Sequence, residues 1–512
     1  MLQSSPAQSR SFNCQTTLAS QRLDRHFAAC ALIVALLTAV RLIALRFSVV
    51  DLYFDEAQYW AWAQRLEWGY FSKPPMIAWL IALAESVCGS GEACVRTPSP
   101  LLYAGTAITV FAIARELYDS RTAFWSALAL ATSTGAAFSA RIISTDVPFL
   151  LFWSLALLSL VKFLRGGGFG WSVLLGFAIG LGLLSKYAMA YFFLCLAVAA
   201  VFEADVRRLV ARHTFLIALL VAAICLAPNL YWNATNGMAT FSHTVDNATG
   251  SGAQFSLRKM LSFIAVQFAI AGPVLFGAFL ISIVRSRYDG MNLSDRLLLC
   301  FSLPILAAVS AVAFVTGAHP NWAAPALIAV IVLATAQLVR HNAYGWLAAS
   351  FIFAGLVQIA LLTGDAIATQ ITVPGLRKPD LYERTLGWKD LALAAASRAH
   401  DNGALTIAAE RREDVASLVY NLRNEPFNIR AWLREDSTGD YFEMRYPMGQ
   451  SAPEPIVLLT QCSKLERLQT QFSEVRRLEP IRASSGPTMS RTYNAFLLAG
   501  RFGSLHPLAP CR

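Results

Sequence analysis

Two adjacent acids, Asp55-Glu56, sit in a stretch crowded with aromatic residues, among them Tyr59, Trp60 and Trp62. Downstream, Ser72-Lys73-Pro74-Pro75 places a lone lysine before two prolines. An Asp can act as a general base, and a lysine at lipid-headgroup depth is well placed for a phosphate. Three more segments set polar residues against apolar sequence: Ser144-Thr145-Asp146-Val147-Pro148, Ser185-Lys186-Tyr187 and His319-Pro320-Asn321-Trp322. An acid opening a membrane helix is costly if it faces lipid, so Asp146 should face a polar cavity. Each segment also has a plainer reading. Asp55-Glu56 could lie on an interfacial anchor helix, Asp146 could cap a helix, Lys186 could snorkel, and His319 could sit in a turn beside an interfacial Trp. Residues 231–258, with Tyr231-Trp232-Asn233, His243 and Asp246, read as a cover over a site or as an ordinary polar loop.

The elements that must position these residues are membrane helices. Of 512 residues, 56% are hydrophobic and only 14% charged, against about 25% charged in soluble domains. Charge is unevenly placed. Residues 1–364 hold 23 Lys+Arg and 15 Asp+Glu, whereas the much shorter 365–512 holds 19 and 17. The first part therefore reads as membrane protein and the second as a soluble domain. The net charge of +10 calls for no nucleic-acid partner, because basic residues at cytoplasmic helix ends give such a balance.

Eleven stretches approach the roughly 20 apolar residues that a span needs: 28–48, 97–115, 122–140, 147–163, 170–184, 187–203, 211–230, 259–284, 295–315, 320–338 and 343–363. Residues 74–88 are too short and fit an interfacial or re-entrant helix better. With the N-terminus in the cytoplasm, inner segments hold fourteen Lys or Arg and the outer loops before residue 365 hold seven, as the positive-inside rule requires. The C-terminal domain is then outside. The expected organisation is a cytoplasmic tail over 1–27, a transmembrane domain over 28–364 with a large first outer loop at 49–96, and a soluble periplasmic α/β domain over 365–512. The tail is polar and read as disordered, and the first apolar stretch as a retained anchor.

Gly166-Gly167-Gly168-Phe169-Gly170 follows no strand, so it is a turn and not a nucleotide fingerprint. Cys30, Cys195, Cys225 and Cys300 fall in spans and read as packing residues. Cys88 with Cys94, and Cys462 with Cys511, could pair in an oxidising compartment. No Cys or His spacing suits zinc. In the tail, Trp388–His400 and Asp414–Leu422 suit helices, and Leu405–Ala409 and Ile456–Thr460 suit buried strands.

At these residues the sequence resembles the polyprenyl-phosphate-dependent glycosyltransferases of the GT-C class. The nearest group is glycosyltransferase family 39 in its wide sense, which includes protein O-mannosyltransferases, lipid A aminoarabinose transferases and related galacturonosyl- and mannosyltransferases. Asp55-Glu56 looks like the family's acidic motif, Ser72-Lys73-Pro74-Pro75 like its Lys-Pro-Pro motif, and Thr145-Asp146-Val147-Pro148 like its Thr-Asp-x-Pro element. Gly182-Leu183-Leu184-Ser185-Lys186-Tyr187 resembles the Lys turn after the fifth span, and His319-Pro320-Asn321-Trp322 the late Pro-Asn-Trp turn. Leu386-Gly387-Trp388-Lys389-Asp390-Leu391-Ala392 resembles the opening of the family's small outer domain. One departure is Ser72, where aminoarabinose transferases usually carry an acid. It argues against a metal and against aminoarabinose as the sugar.

The resemblance implies a polytopic GT-C fold of about 11–13 transmembrane helices with a small C-terminal α/β extracytoplasmic domain, in the bacterial inner membrane. It implies an inverting enzyme without cofactor or metal that moves a sugar from a polyprenyl-phosphate donor to a lipid or protein acceptor at the periplasmic face. Lipid A or lipopolysaccharide is the first expectation for the acceptor; protein O-glycosylation, or a lipid or sugar transporter, is the alternative. Asp55 and Asp146 are the expected catalytic residues. Glu56, Tyr59, Lys73, Lys186 and His319 are the expected substrate contacts, with membrane lipids around them.

Overall fold

In the computed structural model the described residues are 25–249, 252, 254–285, 291–433, 439–449, 451–462, 466–502 and 505–506. The expected disordered tail, up to residue 24, and Cys511 lie outside them. All eleven apolar stretches are helical. Seven helices are long and apolar enough to cross a membrane by length and composition: Arg25–Phe47, Glu92–Leu117, Asp146–Leu164, His213–Thr235, Leu293–Val315, Pro320–Arg340 and Tyr344–Ala366.

The remaining stretches are shorter or broken, and the local sequence explains why. Over 122–140 the helix stops at Ser133, whose hydroxyl accepts the backbone N–H of Ala136 and so starts a new helix, Thr134–Ser139. The stretch 259–284 is not one span. Leu257–Ala271 and Pro273–Arg285 meet at 115°, across Gly272 at φ +94°, a backbone region only glycine enters readily. Counted as one span, the bent pair makes eight. Phe169–Ser185 has 17 residues, and the next helix runs only from Tyr191 to Phe202. The segment 74–88 is the short helix Met76–Cys88, as expected.

Helix Asp146–Leu164 separates two ends of the bundle by about 28 Å, at 1.5 Å per residue. One end carries Asp146. The other is laced by ion pairs: Lys162 and Arg165 with Glu116, Arg296 with Glu203, and Arg340 with Asp295.

At the Asp146 end sits a domain of mixed sheet. Its strands are β1 Thr406–Ala409, β2 Asn428–Ala431, β3 Ile456–Thr460, β4 Phe472–Arg477, β5 Ile481–Ser484 and β6 Ser490–Arg501. The order is β2-β1-β3-β6-β4, with β5 also on β6. β1 is parallel to β2 and β3, and β6 is antiparallel to β3, β4 and β5. Helices Trp388–Asp401 and Arg412–Asn421 complete the α/β pattern, close to the sequence reading. One hydrophobic core joins this domain to the loop 49–96. Tyr59, Trp62 and Tyr70 share it with Trp388, Leu391, Ile407, Val415 and Tyr420. Cys88 and Cys94 form a disulfide with Cα atoms 5.8 Å apart, and Tyr420 Oη donates to the carbonyl of Ser90 inside that loop. Cys462 is also disulfide-bonded.

Candidate active site

Asp55 and Glu56 open helix Phe54–Ala63, and their 100° offset around the helix sends them to opposite tasks. Glu56 is 2% exposed. Its Oε1 accepts from Arg96 Nε and the backbone N–H of Ile143, both at 2.9 Å. Its Oε2 accepts from Arg96 Nη2 at 2.7 Å and the backbone N–H of Tyr53 at 2.9 Å. With both oxygens filled, Glu56 has nothing left for a substrate. The expectation that it binds one is corrected: it is a brace tying loop 49–56 to Arg96 and Ile143.

Asp55 faces the other way and its side chain is 38% exposed. Arg412 Nη1, from the sheet domain, donates to Asp55 Oδ1 and to Gln58 Oε1, each at 2.9 Å. Gln58 is buried, and its Nε2 donates at 3.4 Å to Ser72 Oγ, beside Lys73.

Lys73 is held by a turn in which the Tyr70 N–H donates to the Lys73 carbonyl at 3.1 Å. Its ammonium has no hydrogen-bond or ion-pair partner among the described residues. Burial, and then the nearby Lys186 ammonium, pull its pKa below the ordinary lysine value, while Asp146 and Asp55 act in the opposite sense. An ammonium with no direct partner among the described residues keeps its N–H donors available to an anion.

Asp146 and Lys186 form a 2.6 Å ion pair, and Asn321 Nδ2 donates to the second oxygen of Asp146 at 2.6 Å. Three helix ends thus converge: the start of Asp146–Leu164, the end of Phe169–Ser185 and the turn Pro320–Ala323. The ring of Tyr59 lies 5.1 Å from that of Trp62. Burial raises the pKa of its phenol, reinforced by Asp55 and Asp146 and opposed by Arg412. His319 makes no hydrogen bond to Asp146 or Lys186. It is exposed, with its ring 5.6 Å from that of Trp322. Two residues along the same turn, Asn321 makes the contact with Asp146.

A helix within 231–258, Ala239–Thr249, packs on the segments that carry Lys73 and Lys186. Thr240 Oγ1 donates to the Tyr70 carbonyl at 2.7 Å, Phe241 stacks on Tyr187 at 4.7 Å, and the His243 ring meets Phe71 edge-on at 5.8 Å. Burial and the Lys73 and Arg412 cations push the His243 imidazole below its usual value. Tyr187 Oη donates to Asn229 Oδ1 and accepts from Asn233 Nδ2, which fixes the turn that carries Lys186.

Lys73 therefore feels Asp55, Asp146 and Lys186, although the four lie on separate segments, and Lys186 and Asp146 pair directly. Two cavities lie elsewhere on the described residues, and none of these four side chains lines them. One, of about 420 Å³, is lined by Trp60, Gln64, Ser90, Gly91, Arg423 and Asn424. The other, of about 230 Å³, lies near Asp51, Leu386 and Ser484. Among the described residues no group of three His, Cys, Asp or Glu side chains could hold a metal ion. Arg412, Gln58 and Asn321 carry contacts that the sequence reading did not assign.

A bundle of apolar helices beneath a small α/β domain is the architecture of a multi-pass membrane protein of GT-C type. Residues 72–232 match the dolichyl-phosphate-mannose-protein mannosyltransferase family. The lipid A galacturonosyltransferase RgtD of Rhizobium johnstonii is 31% identical over 430 residues, 84% of this chain and 90% of that protein. The lipopolysaccharide core galacturonosyltransferase RgtA of the same organism is 29% identical over 301 residues, 56% of this chain and 59% of its own. The crystal structure of ArnT from Cupriavidus metallidurans bound to undecaprenyl phosphate superposes with a TM-score of 0.66 at 14% identity, covering 92% of this chain and 97% of that one. The chain belongs to the GT-C family of membrane glycosyltransferases.

Proposed function

We propose that this enzyme transfers a uronic sugar, galacturonic acid first among them, from a polyprenyl-phosphate carrier to lipid A or another part of lipopolysaccharide. The observation that carries the reading is the Lys73 ammonium, without a direct partner among the described residues, near the Lys186–Asp146–Asn321 cluster. The relative RgtD supports the choice of sugar and acceptor. In the reaction, Asp55 accepts the proton of the acceptor hydroxyl. That oxygen attacks the anomeric carbon from the face opposite the phosphate. The bond from this carbon to the phosphate oxygen breaks, its electron pair leaves on the phosphate, and the configuration inverts. Lys73 and Lys186 meet the charge that develops on the leaving group. Asp146, fixed by Lys186 and Asn321, holds the Lys186 ammonium in place. Tyr59 borders the sugar, and helix Ala239–Thr249 excludes water.

The Asp146 end of the bundle then faces the periplasm of a bacterial inner membrane, with the chain's N-terminus in the cytoplasm. The support is the basic residues Lys162, Arg165, Arg296 and Arg340 at the opposite end. The test is transfer of labelled galacturonate from its polyprenyl phosphate to lipid A by the purified enzyme, with a peptide acceptor in parallel. Transfer that is lost in Asp55→Asn supports the reading. Transfer to peptide alone would favour protein O-glycosylation. Movement of intact lipid-linked sugar with no new glycosidic bond would make the protein a transporter.

A further inference from the structure

Arg412 comes from the sheet domain, 357 residues from Asp55 in sequence. Its Nη1 is pinned by Asp55 and Gln58, and its guanidinium carbon stands 4.9 Å from the centre of the Phe54 ring. Because the guanidinium is planar, these contacts fix the direction of its remaining edge. Nε and Nη2 on that edge have no partner among the described residues, and the side chain is 30% exposed. The support behind it is built in, because buried Gln58 bridges Arg412 to Ser72, next to Lys73. The cluster therefore offers two places for an anion. The donor phosphate fills the one at Lys73. A pre-oriented guanidinium edge suits a second, since two parallel N–H groups match two oxygens of a carboxylate or phosphate.

We infer that Arg412 is a specificity residue that binds a second anionic group of the substrates, beyond the donor phosphate. Resting on the glycosyl-transfer reading of the same site, the inference adds the class of group recognised and the domain that supplies the recognition. Two groups have this chemistry: the carboxylate of a uronosyl donor and a phosphate on the lipid acceptor.

The experiment measures kcat/KM for wild type, Arg412→Gln and Arg412→Lys in a two-by-two set of substrates. The donors are polyprenyl-phosphate galacturonate and polyprenyl-phosphate galactose. The acceptors are phosphorylated and dephosphorylated lipid A. A charge-assisted contact of this kind amounts to about 10- to 150-fold. Wild type should discriminate by that factor for one of the two anions, and Arg412→Gln should bring the ratio close to one. Arg412→Lys, with a charge but no fork, should lie between. Collapse of the donor ratio identifies the sugar carboxylate, and collapse of the acceptor ratio identifies the acceptor phosphate. Parallel loss with all four combinations, leaving both ratios unchanged, would overturn the inference and reduce Arg412 to a brace for Asp55. Absence of transfer by wild type with every combination would instead refute the glycosyl-transfer reading.

Discussion

Asp55 and Glu56 are neighbours of the same chemical type, yet their replacement should give opposite phenotypes. Glu56→Gln removes the charge opposite Arg96, which is itself 2% exposed. Val50 and Asp51 carbonyls would still accept from Arg96, but no carboxylate would balance the guanidinium. The new amide would also point N–H groups toward donors, namely Arg96 and either Ile143 N–H or Tyr53 N–H. Breaking a buried pair in this way costs about 3–5 kcal/mol. Asp55→Asn is different. Its pair with Arg412 is about a third exposed on both sides, a class of contact worth roughly 0–1 kcal/mol. Loss of Asp55 as the proposed general base should instead lower the rate by roughly 10²-fold or more, near 2.7 kcal/mol of transition-state stabilisation. Thermal unfolding in detergent, followed by size-exclusion chromatography, reads the first quantity; initial rates with labelled donor read the second. Glu56→Gln should melt early and Asp55→Asn should melt like wild type with little activity. Adding Arg96→Met to Glu56→Gln should recover part of the stability. A stable but inactive Glu56→Gln, or an Asp55→Asn that fails to fold, would refute the division of labour.

The lowered pKa of Lys73 means that donor binding should weaken as pH rises through a value below the ordinary lysine range. Lys73→Arg, which stays charged, should abolish that break in the KM profile. Asn321→Asp sets a carboxylate against Asp146, where the amide now donates at 2.6 Å. It should cost more activity than Asn321→Ala, while His319→Ala should stay near wild type in the same rate assay. In the sheet domain, burial pushes the Asp414 carboxyl up from 3.8 to about 7. A raised folded-state pKa gives stability that is complete below the unfolded value and lost as pH rises through the folded one. Melting temperature should therefore fall between about pH 4 and pH 7, and Asp414→Asn should flatten that part of the curve.

Much of the membrane part is legible in one dimension, because a helix in lipid must hide its backbone and carry a long apolar run. All eleven runs are helical for that reason. Their lengths are less legible, since Ser133 and Gly272 interrupt runs that read as continuous. Asp146 and Lys186 could be picked out because charge at the edge of an apolar run is costly unless it is used. Arg412 could not, since it lies in a domain where charge is ordinary, and its meeting with Asp55 is decided by tertiary packing. The roles of Asp55 and Glu56 depend on helix phase, and a one-residue change of phase would exchange them. His319 and Asn321 show the same limit within a turn: the segment was recognisable, but not which side chain turns inward.

The core shared by Trp62, Tyr70, Trp388 and Ile407 has a consequence for how this architecture can be cut and recombined. The first loop and the C-terminal domain are far apart in sequence, yet neither has a complete interior without the other. Asp51 underlines the dependence: its carboxylate accepts the Trp388 and Lys389 backbone N–H groups and so caps a helix that belongs to the domain. A chimera that exchanges the tail alone between two relatives would bring together half-interfaces that never evolved side by side. A viable graft must carry residues 49–96 along with the tail, so the unit that can be exchanged here is a discontinuous one.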